Sequence, residues 1–578
     1  MKNILILGAG FMQGIAIREA KKAGLRVLAV DGNPNAVCAK EADIFENIDL
    51  KNIEALTAFA KDFQAKHGLD AVFTAATDFS YSVAKIAEAC NLKSHSVAAC
   101  ENATNKVLMR ECFKKANVFS IDFFSITKKE FPQLKQIFEK AKLEFPLVVK
   151  PADNMGARGC KKVNSFEELN FAVENALSFS RTEAAIVEEF IDGKEYSIEG
   201  LIIGENFYVT ALADRHIFFP PFFIETGHSI PANISQKDTN KLCDAFEKGA
   251  RALGLDYGVC KGDIFLSNGK VFIGEIAARL SGGYMSGWTV PYSSGINITR
   301  EALMLALGKS EAVCKRLEKI NLPPTRFNTK IFCAERAWIS IPGIVKKVYG
   351  LHDAKKVRGV KNVFTRAKAN DEVVFPTNNV EKCGNILATA RSYKLACKRA
   401  ENAVRKILLR LKPNEVKTEL YLCASYVKSF SDLKNFEFFN SELVGELEKN
   451  SMEQVQLTKL FELYKIQPDF FNLTCEQKKL ICEKIIKSDE MIFKKLKMKK
   501  GKNELTILFP QIFKPFLKKI KDIQGRQLRK ALKQMFALEP QLEKWLLAKK
   551  DSIVNKKFWL MFLRGGIQGA LYVYDSEK

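Results

Sequence analysis

The stretch that most constrains the fold is residues 260–283, in which a tight turn joins two short apolar runs. Asn268-Gly269 is a strong signal for a two-residue hairpin turn. Asp263 and Glu275 lie at about equal distances from this turn, so antiparallel pairing would bring the two carboxylates together. Buried like charges repel unless a cation lies between them, and carboxylate oxygens suit Mg²⁺. The pattern predicts either a metal-binding hairpin or, for this segment taken alone, an ordinary acidic one.

The first 100 residues alternate strands and helices, which is typical of a parallel sheet with crossover helices. The opening strand leads into Gly8, Gly10 and Gly14, and a second strand ends at Asp31. This G-x-G-x-x-x-G spacing is a loose version of the dinucleotide fingerprint. It indicates either a dinucleotide site or a tight turn with close helix packing in a doubly wound sheet.

Two later stretches suit a nucleotide. An apolar strand ends at Lys150, and the loop 153–159 that follows contains two glycines whose backbone N–H groups could contact phosphate. This loop lacks the Gly-Lys-Ser/Thr of a Walker A motif, so a flexible surface turn is the alternative. Glu188 and Glu195 bracket a segment that could bind a flat ring through its backbone, although each glutamate could simply be solvated.

Composition narrows the class of protein. The net charge of +24, from 90 Lys and Arg against 66 Asp and Glu, favours association with nucleotides, nucleic acid or acidic lipid headgroups. The 14 cysteines are scattered singly, as expected for reduced thiols rather than disulfides or zinc ligands. No run approaches the roughly 18 apolar residues of a membrane helix, and no signal-peptide core follows Met1. We expect a soluble, cytoplasmic protein.

Taken together, these pieces resemble the ATP-grasp superfamily of carboxylate ligases over residues 1–410. The resemblance rests on their order and spacing. In sequence they are Lys106, Lys150-Pro151, the loop from Asp153 to Gly159, Glu188-Glu189-Phe190-Ile191, Glu195, Asp263 and Glu275.

The resemblance implies a role for each of these positions. ATP and Mg²⁺ (or Mn²⁺) would be the cofactors, with Asp263 and Glu275 as the metal ligands. Arg279 with Lys261 would stabilise an oxyanion, and the N-terminal glycines would bind no dinucleotide. The implied ATP-binding residues are Lys106, Lys150, Gly156, Gly159, Glu188, Glu189, Ile191 and Glu195. Among them, Glu188 and the backbone of Glu189 and Ile191 would hold the adenine edge, and Glu195 would bind the ribose hydroxyls.

The segment from Phe223 to Pro231 is similar to the substrate segment of bacterial L-amino-acid ligases, which narrows the resemblance to that group. Many ATP-grasp enzymes have Glu-x-Asn-x-Arg on the last metal strand, whereas this chain has Ala277 at the asparagine position, as do those ligases. Because alanine cannot ligate a metal, the second ion would either be held by Glu275, phosphate and water or be bound more weakly. The resemblance further implies that Glu225 faces an amino group and His228 the reacting carboxyl. Ser281 and Gly282 would complete the substrate site.

We therefore predict an α/β fold in four parts. Residues 1–100 would form a doubly wound parallel-sheet domain, 101–310 a two-lobed ATP-grasp domain, and 311–412 a small strand-rich subdomain. Residues 413–578 look helical and contain a basic cluster between Met491 and Lys533. This extension would present a solvated face, bind an anionic partner, or pack on the enzyme as a cover.

The predicted function is that of an ATP-dependent carboxylate–amine ligase with an acyl-phosphate intermediate, giving ADP and phosphate. Its partners would be a small-molecule carboxylate and amine, with an amino acid or peptide-like substrate ranked first and a homodimer possible. A carboxylating or carbamoyl-phosphate-type ATP-grasp enzyme is one alternative. A non-catalytic protein that binds ATP as a signal is the other.

Overall fold

The structure is a computed structural model that describes residues 1–219, 221–423, 535–549 and 553–578. Four sheets organise this part of the chain, one parallel and three built from antiparallel pairs. The predicted α/β class is confirmed. The basic cluster of the C-terminal extension lies outside the described residues.

The N-terminal part is a parallel sheet with helices on both faces. The strand order is β3-β2-β1-β4, and alternate residues of β1 serve opposite sides: Ile4 and Ile6 face one apolar cluster, Leu5 and Leu7 the other. This is the predicted doubly wound arrangement. Its elements are β1 (Asn3–Leu7), α1 (Gly14–Lys22), β2 (Arg26–Val30), β3 (Ile44–Glu46), α2 (Ile53–His67), β4 (Ala71–Thr74), α3 (Ser80–Ala89) and α4 (Val97–Thr104).

The glycine turn after β1 is filled by the protein itself. Gly8 has φ +98°, and a Cβ there would lie 2.8 Å from the Cγ of Gln13, whose amide donates to the carbonyl of Ala75. The carboxylate of Asp31 accepts a hydrogen bond from the Ala9 amide at 2.8 Å. The tight-turn interpretation of the glycines therefore accounts for these contacts.

A four-stranded antiparallel sheet follows, in the order β5-β8-β6-β7. Asn105 caps the helix that leads into it, since its side chain accepts from the amides of Val107 and Leu108. Ser165 caps the helix that covers the sheet. The elements are α5 (Lys106–Lys115), β5 (Phe123–Thr127), α6 (Leu134–Ala141), β6 (Leu147–Pro151), β7 (Lys161–Val163), α7 (Phe166–Phe179) and β8 (Ala184–Glu189).

The largest sheet has eight strands in the order β13-β12-β9-β10-β11-β14-β18-β16. One of its faces packs on α8 and on the apolar cluster around Ile198, Leu212 and Ile264. Its first five strands and the helices near them are β9 (Lys194–Ile203), β10 (Asn206–Phe218), β11 (Ile224–Ile230), α8 (Gln236–Ala252), β12 (Tyr257–Ser267), β13 (Lys270–Ala277), α9 (Val290–Ser294), α10 (Ile298–Ala306) and α11 (Ser310–Leu317).

The predicted small subdomain shares this sheet, because β14, β18 and β16 extend it, while β17, β15 and β19 form a separate three-stranded sheet. The sequence also predicts a helix over residues 393–409, and this is wrong at its end: the helix stops at Val404, and the apolar residues after it form a buried strand. The elements are β14 (Phe332–Trp338), β15 (Gly343–Tyr349), α12 (Leu351–Lys355), β16 (Val360–Thr365), β17 (Glu372–Val373), β18 (Gly384–Ala390), α13 (Tyr393–Val404) and β19 (Leu408–Leu411).

The described parts of the C-terminal extension are helices that pack on this subdomain. They are α14 (Val416–Cys423), α15 (Leu542–Ala548) and α16 (Ile553–Ser576). The guanidinium of Arg410, on β19, pairs with Asp575 of α16 and with Glu539. Within the described ranges, every helix is too short or too polar to span a bilayer.

Candidate active site

One face of the eight-stranded sheet carries six of the residues that the sequence singled out. Directly opposed residues of antiparallel strands share a face, and the pairings Asp263 with Glu275, Lys261 with Glu199, and Arg215 with His228 involve five strands. The pairings of β9 with β10 and of β11 with β14 join these strands and extend the same face to β14. The charged or polar residues on this face are Glu195, Glu199, Arg215, Glu225, His228, Lys261, Asp263, Glu275 and Glu335.

The hairpin β12–β13 does bring the two predicted metal ligands together. Asp263 is directly opposite Glu275, but a bulge makes this possible. Ile264 pairs with Ile273, and Gly274 is the extra residue that the bulge accommodates. A Cβ at Gly274 would lie 2.7 Å from the ring of Phe265. The glycine therefore sets the register at which the carboxylates meet.

The electrostatics of this pair suit a hard cation. Burial alone would raise the pKa of Asp263, but Arg215 and Lys261 outweigh it and hold the pKa at about 2. Burial likewise opposes ionisation of Glu275, yet Lys106 and Lys261 lower its pKa. Among the described residues, the buried Oδ1 of Asp263 has no hydrogen-bond partner. Two ionised carboxylates and an unpaired oxygen fit the Mg²⁺ that the resemblance implies.

Lys150 and Glu188 form a buried ion pair with a third member that sequence reasoning missed. Lys150 Nζ lies 2.6 Å from Glu188 Oε2, and Arg110 Nε donates to Glu188 Oε1 at 2.8 Å. Burial would raise the pKa of Glu188, but the two cations lower it to about 2. Burial opposes the charge on Lys150 in turn, and Glu188 raises its pKa. Both groups are therefore charged at neutral pH.

Lys106 links the predicted phosphate loop to the predicted metal ligands, Asp263 and Glu275. Its ammonium donates to the carbonyl of Asn154 at 2.7 Å and lies 3.9 Å from Glu275 Oε1. Gly156 and Gly159 have φ values of +70° and +67°, which let the loop turn sharply. Lys106 therefore contacts both the start of the loop, at Asn154, and the carboxylate of Glu275.

Arg215 is the centre of a carboxylate cluster. It pairs with Glu195, with Glu225 at 2.8 Å and with Asp263 at 3.0 Å. Burial raises the pKa of Glu195, whereas Arg215 and Lys382 hold that of Glu225 below its usual range against burial. The residues predicted for ribose, amino group and metal therefore share one guanidinium. A cation within the strand LADRHIF was the only sequence signal for it.

His228 is buried, and both ring nitrogens already have protein partners. Its Nδ1 lies 2.6 Å from Glu335 Oε2, and its Nε2 lies 2.5 Å from the hydroxyl of Thr289. Glu335 comes from β14 and also accepts from Asn385. Direct contact of His228 with a reacting carboxyl stays a prediction. The geometry shown is that of an imidazole whose orientation is fixed from two sides.

Arg279 and Ser281 lie where the sheet meets the N-terminal domain. Arg279 is buried, and its Nε lies 3.6 Å from Asp78. The Ser281 amide donates to Glu199 at 2.7 Å, so a second carboxylate overlooked in the sequence positions this loop. A Cβ on Gly282 would lie 3.8 Å from the carbonyl of Ala76. The segment that follows β4 therefore borders Arg279 and Gly282.

The backbone predicted to hold adenine lies at the end of β8 and just after it. The amide of Glu189 donates to the carbonyl of Asp122 at 3.0 Å, which occupies that donor. Ile191 is buried, and Phe190 between them lies under the ammonium of Lys162 at 3.5 Å. The roles of Glu189 and Ile191 stay predictions, as does contact of the Glu188 carboxylate with adenine.

Two family models match the chain. The model described as D-ala D-ala ligase C-terminus matches residues 112–280, which span the four-stranded sheet and the metal hairpin. The model described as L-amino acid ligase C-terminal domain 2 matches residues 337–412. The second match covers the predicted small subdomain from the end of β14 to β19.

Whole proteins give a more distant likeness. An uncharacterised protein of Sinorhizobium fredii is 23% identical over 67% of this chain and 78% of its own length. The carbamoyl phosphate synthase large chain of Thermoanaerobacter is 23% identical over 53% of this chain, which spans only 29% of that protein. The L-amino acid ligase of Bacillus licheniformis is similar in fold, with a TM-score of 0.61 at 22% identity, over 71% of this chain and 99% of that one.

Proposed function

We propose that this chain, whose ATP-grasp ligase resemblance is confirmed by both family models and by the fold, joins a carboxylate to an amine with ATP converted to ADP and phosphate. The observation that carries the proposal is the pairing of ionised Asp263 and Glu275 beside Lys106 and the phosphate loop. Such a face can hold a metal nucleotide and neutralise a transferring phosphoryl group. Mg²⁺, when bound to the two carboxylates, would offset phosphate charge.

The proposed reaction has two steps, and different residues assist each of them. A substrate carboxylate oxygen attacks the γ-phosphorus, ADP leaves, and an acyl phosphate forms. In this proposal Lys106 and Lys150 bind phosphate oxygens and offset the charge that develops there, a role supported by their ion pairs with Glu275 and Glu188. The amine then attacks the acyl carbon, the tetrahedral oxyanion forms beside Arg279 and Lys261, and phosphate leaves as the amine loses a proton. The protein thus acts by positioning and electrostatics.

The substrate class we propose is an amino acid or a peptide-like molecule. Glu225 is ionised and lies on the same sheet face as Asp263, where it could bind an ammonium group. The matched L-amino acid ligase domain supports this choice over other carboxylates. A carboxylating or carbamoyl-phosphate-type reaction is the second candidate, favoured by the synthase relative. A cytoplasmic location and a homodimer stay predictions.

The test is release of ADP and phosphate across a panel of carboxylates and amines. We expect saturable release only when both substrates are present, with ADP rather than AMP formed, and with amino acids among the active carboxylates. Bicarbonate-dependent release without another carboxylate would favour the second candidate. Nucleotide binding with no turnover under any pair would favour a protein that binds ATP as a signal.

A further inference from the structure

A short segment of the small subdomain contacts both the phosphate loop and the substrate strand. It runs from β17 to β18, and Asn379 lies at its centre. The backbone N–H of Asn379 donates to the carbonyl of Gly156 at 3.0 Å. Its side-chain Oδ1 accepts from the backbone N–H of Glu225 at 2.7 Å. One residue therefore joins the loop that would cover ATP to the strand that would bind the other substrate.

A second residue of the segment strengthens the contact with the strand. Lys382 Nζ donates to the carbonyl of Glu225 at 2.8 Å, so both backbone polar groups of Glu225 bond to this segment. The side chain of Glu225 pairs with Arg215, which pairs with Asp263. The segment is thus linked to the predicted metal ligand Asp263 through two ion pairs, Glu225 with Arg215 and Arg215 with Asp263.

The segment is braced from within and from its own subdomain. The amide and hydroxyl of Thr377 both donate to Glu381, and the Val380 amide donates to Asn378 at 2.9 Å. Arg366, beyond the far end of β16, donates to the carbonyl of Val380 at 3.2 Å. Asn379 is therefore presented on an ordered turn, which lowers the entropic cost of holding its two partners.

We propose that Asn379 is a positioning residue that couples closure of the phosphate loop to ordering of Glu225. The inference rests on the proposed function, since it assigns the loop to ATP and the strand to the second substrate. Gly156 has φ +70°, so its peptide can turn without side-chain strain, and a bond to its carbonyl selects one loop position. When the loop leaves that position, Asn379 loses one partner and holds Glu225 less firmly.

The loop offers its own readout, because trypsin can cleave after Arg158. We would follow cleavage of the Arg158–Gly159 bond by mass spectrometry, with and without Mg²⁺ and a non-hydrolysable ATP analogue. In the wild-type chain we expect the analogue to protect this bond. In Asn379→Leu, which removes the acceptor and keeps the side-chain volume, we expect protection to need roughly two- to ten-fold more analogue, as one lost hydrogen bond implies.

Two control variants distinguish loss of the Asn379–Glu225 hydrogen bond from a general disturbance of the segment. Asn379→Asp keeps an acceptor oxygen and should restore protection. Asn378→Leu removes the neighbouring amide, whose bond stays within the turn, and should protect as the wild type does. Should Asn379→Leu fail to fold by circular dichroism, Asn379→Ala, which also lacks the acceptor, replaces it with the same expected and overturning results.

Turnover supplies the second readout. Asn379→Leu should raise amine-independent ATP hydrolysis relative to ligation, because the loop and Glu225 would no longer order together. Equal protection and equal coupling in the wild type and Asn379→Leu would overturn the role of Asn379 alone. An analogue that fails to protect the wild-type bond would instead overturn the proposed function, and the coupling with it.

Discussion

At the scale of single residues, the site is built from cations and carboxylates that neutralise one another before any ligand binds. Lys150 forms an ion pair with Glu188, Lys261 forms one with Asp263, and Lys106 forms a longer one with Glu275. Because Arg110 also pairs with Glu188 and Arg215 also pairs with Asp263, removing a lysine leaves each of these two carboxylates with a second cation. Substitutions here should therefore act on chemistry and, more mildly, on stability.

The first prediction concerns Lys150→Ala and Glu275→Gln. One removes a phosphate cation and the other a carboxylate of the metal pair, so each should lower ATP turnover by about 10²-fold or more while the protein stays folded. Turnover and circular dichroism would be measured together. Lys114→Ala and Glu111→Gln, at exposed positions of α5, are the matched controls. Full activity of either site variant would contradict the assigned site.

The second prediction uses the depressed pKa of Glu188. Its folded-state pKa is about 2 against an ordinary 4.5, so it stabilises the fold fully above pH 4.5 and loses that contribution as pH falls toward 2. Glu188→Gln should cost about 3 kcal/mol at pH 7, and the gap to the wild type should shrink below pH 4.5. Urea unfolding at pH 7, 4 and 3 measures this. A gap that stays constant with pH would contradict the ion-pair account.

Sequence reasoning located some of these residues and not others for a definable reason. Asp263 and Lys150 each occupy a local pattern, a hairpin and a strand end, that can be read from neighbouring letters. Arg215, Glu335 and Asn379 act through partners on strands or loops far away in the chain. Their importance depends on strand register, which one sequence does not fix.

At the scale of elements, the hairpin β12–β13 depends on its bulge. The strand pattern predicted the two strands, but the number of residues from the turn would pair Asp263 with Gly274 rather than Glu275 in a regular ladder. The bulge corrects this by one residue. A single glycine with close neighbours carries little sequence signal, which is why the bulge could not be predicted.

The third prediction follows from that bulge. In Gly274→Ala the new methyl would lie 2.7 Å from the Phe265 ring and 3.0 Å from the carbonyl of Asp263, so the hairpin must shift. We expect a loss of about 1–3 kcal/mol in unfolding free energy and weaker Mg²⁺-dependent nucleotide binding. Gly32→Ala, where the nearest atom is a Cα at 3.5 Å, is the control. Equal metal dependence in Gly274→Ala and wild type would refute the role of the register.

At the scale of the whole molecule, the C-terminal extension shares an interface with the enzyme. Gln568 of α16 donates to the Ser340 hydroxyl at 2.7 Å and to the carbonyl of Leu409 at 3.0 Å, and it accepts from the Ile341 amide. Helix α16 and the subdomain before Pro413 are therefore in direct contact across the predicted boundary. Of the roles for the extension that the sequence left open, this packing favours the one in which α14 and α16 cover the enzyme. An anionic partner for the basic cluster stays a prediction.

The last prediction tests that interface. Arg410 is bonded twice to Asp575 and once to Glu539, and the side chains of Arg410 and Asp575 are only 10% and 4% exposed. Arg410→Met leaves buried carboxylates without a cation, so we expect a loss of about 3 kcal/mol in unfolding free energy. A chain ended after Lys549 lacks α16 and should be insoluble or melt at a lower temperature, because β19 loses the helix that packs on it.

Thermal melts and Mg-ATP binding would be measured for both variants, with exposed Arg391→Met as the control. Asp575→Asn combined with Arg410→Met should cost less than the sum of the two single changes, because each removes the same interaction. A truncated chain that melts and binds nucleotide as the full chain does would show that α16 does not stabilise the enzyme. That result would support the predicted boundary at Pro413.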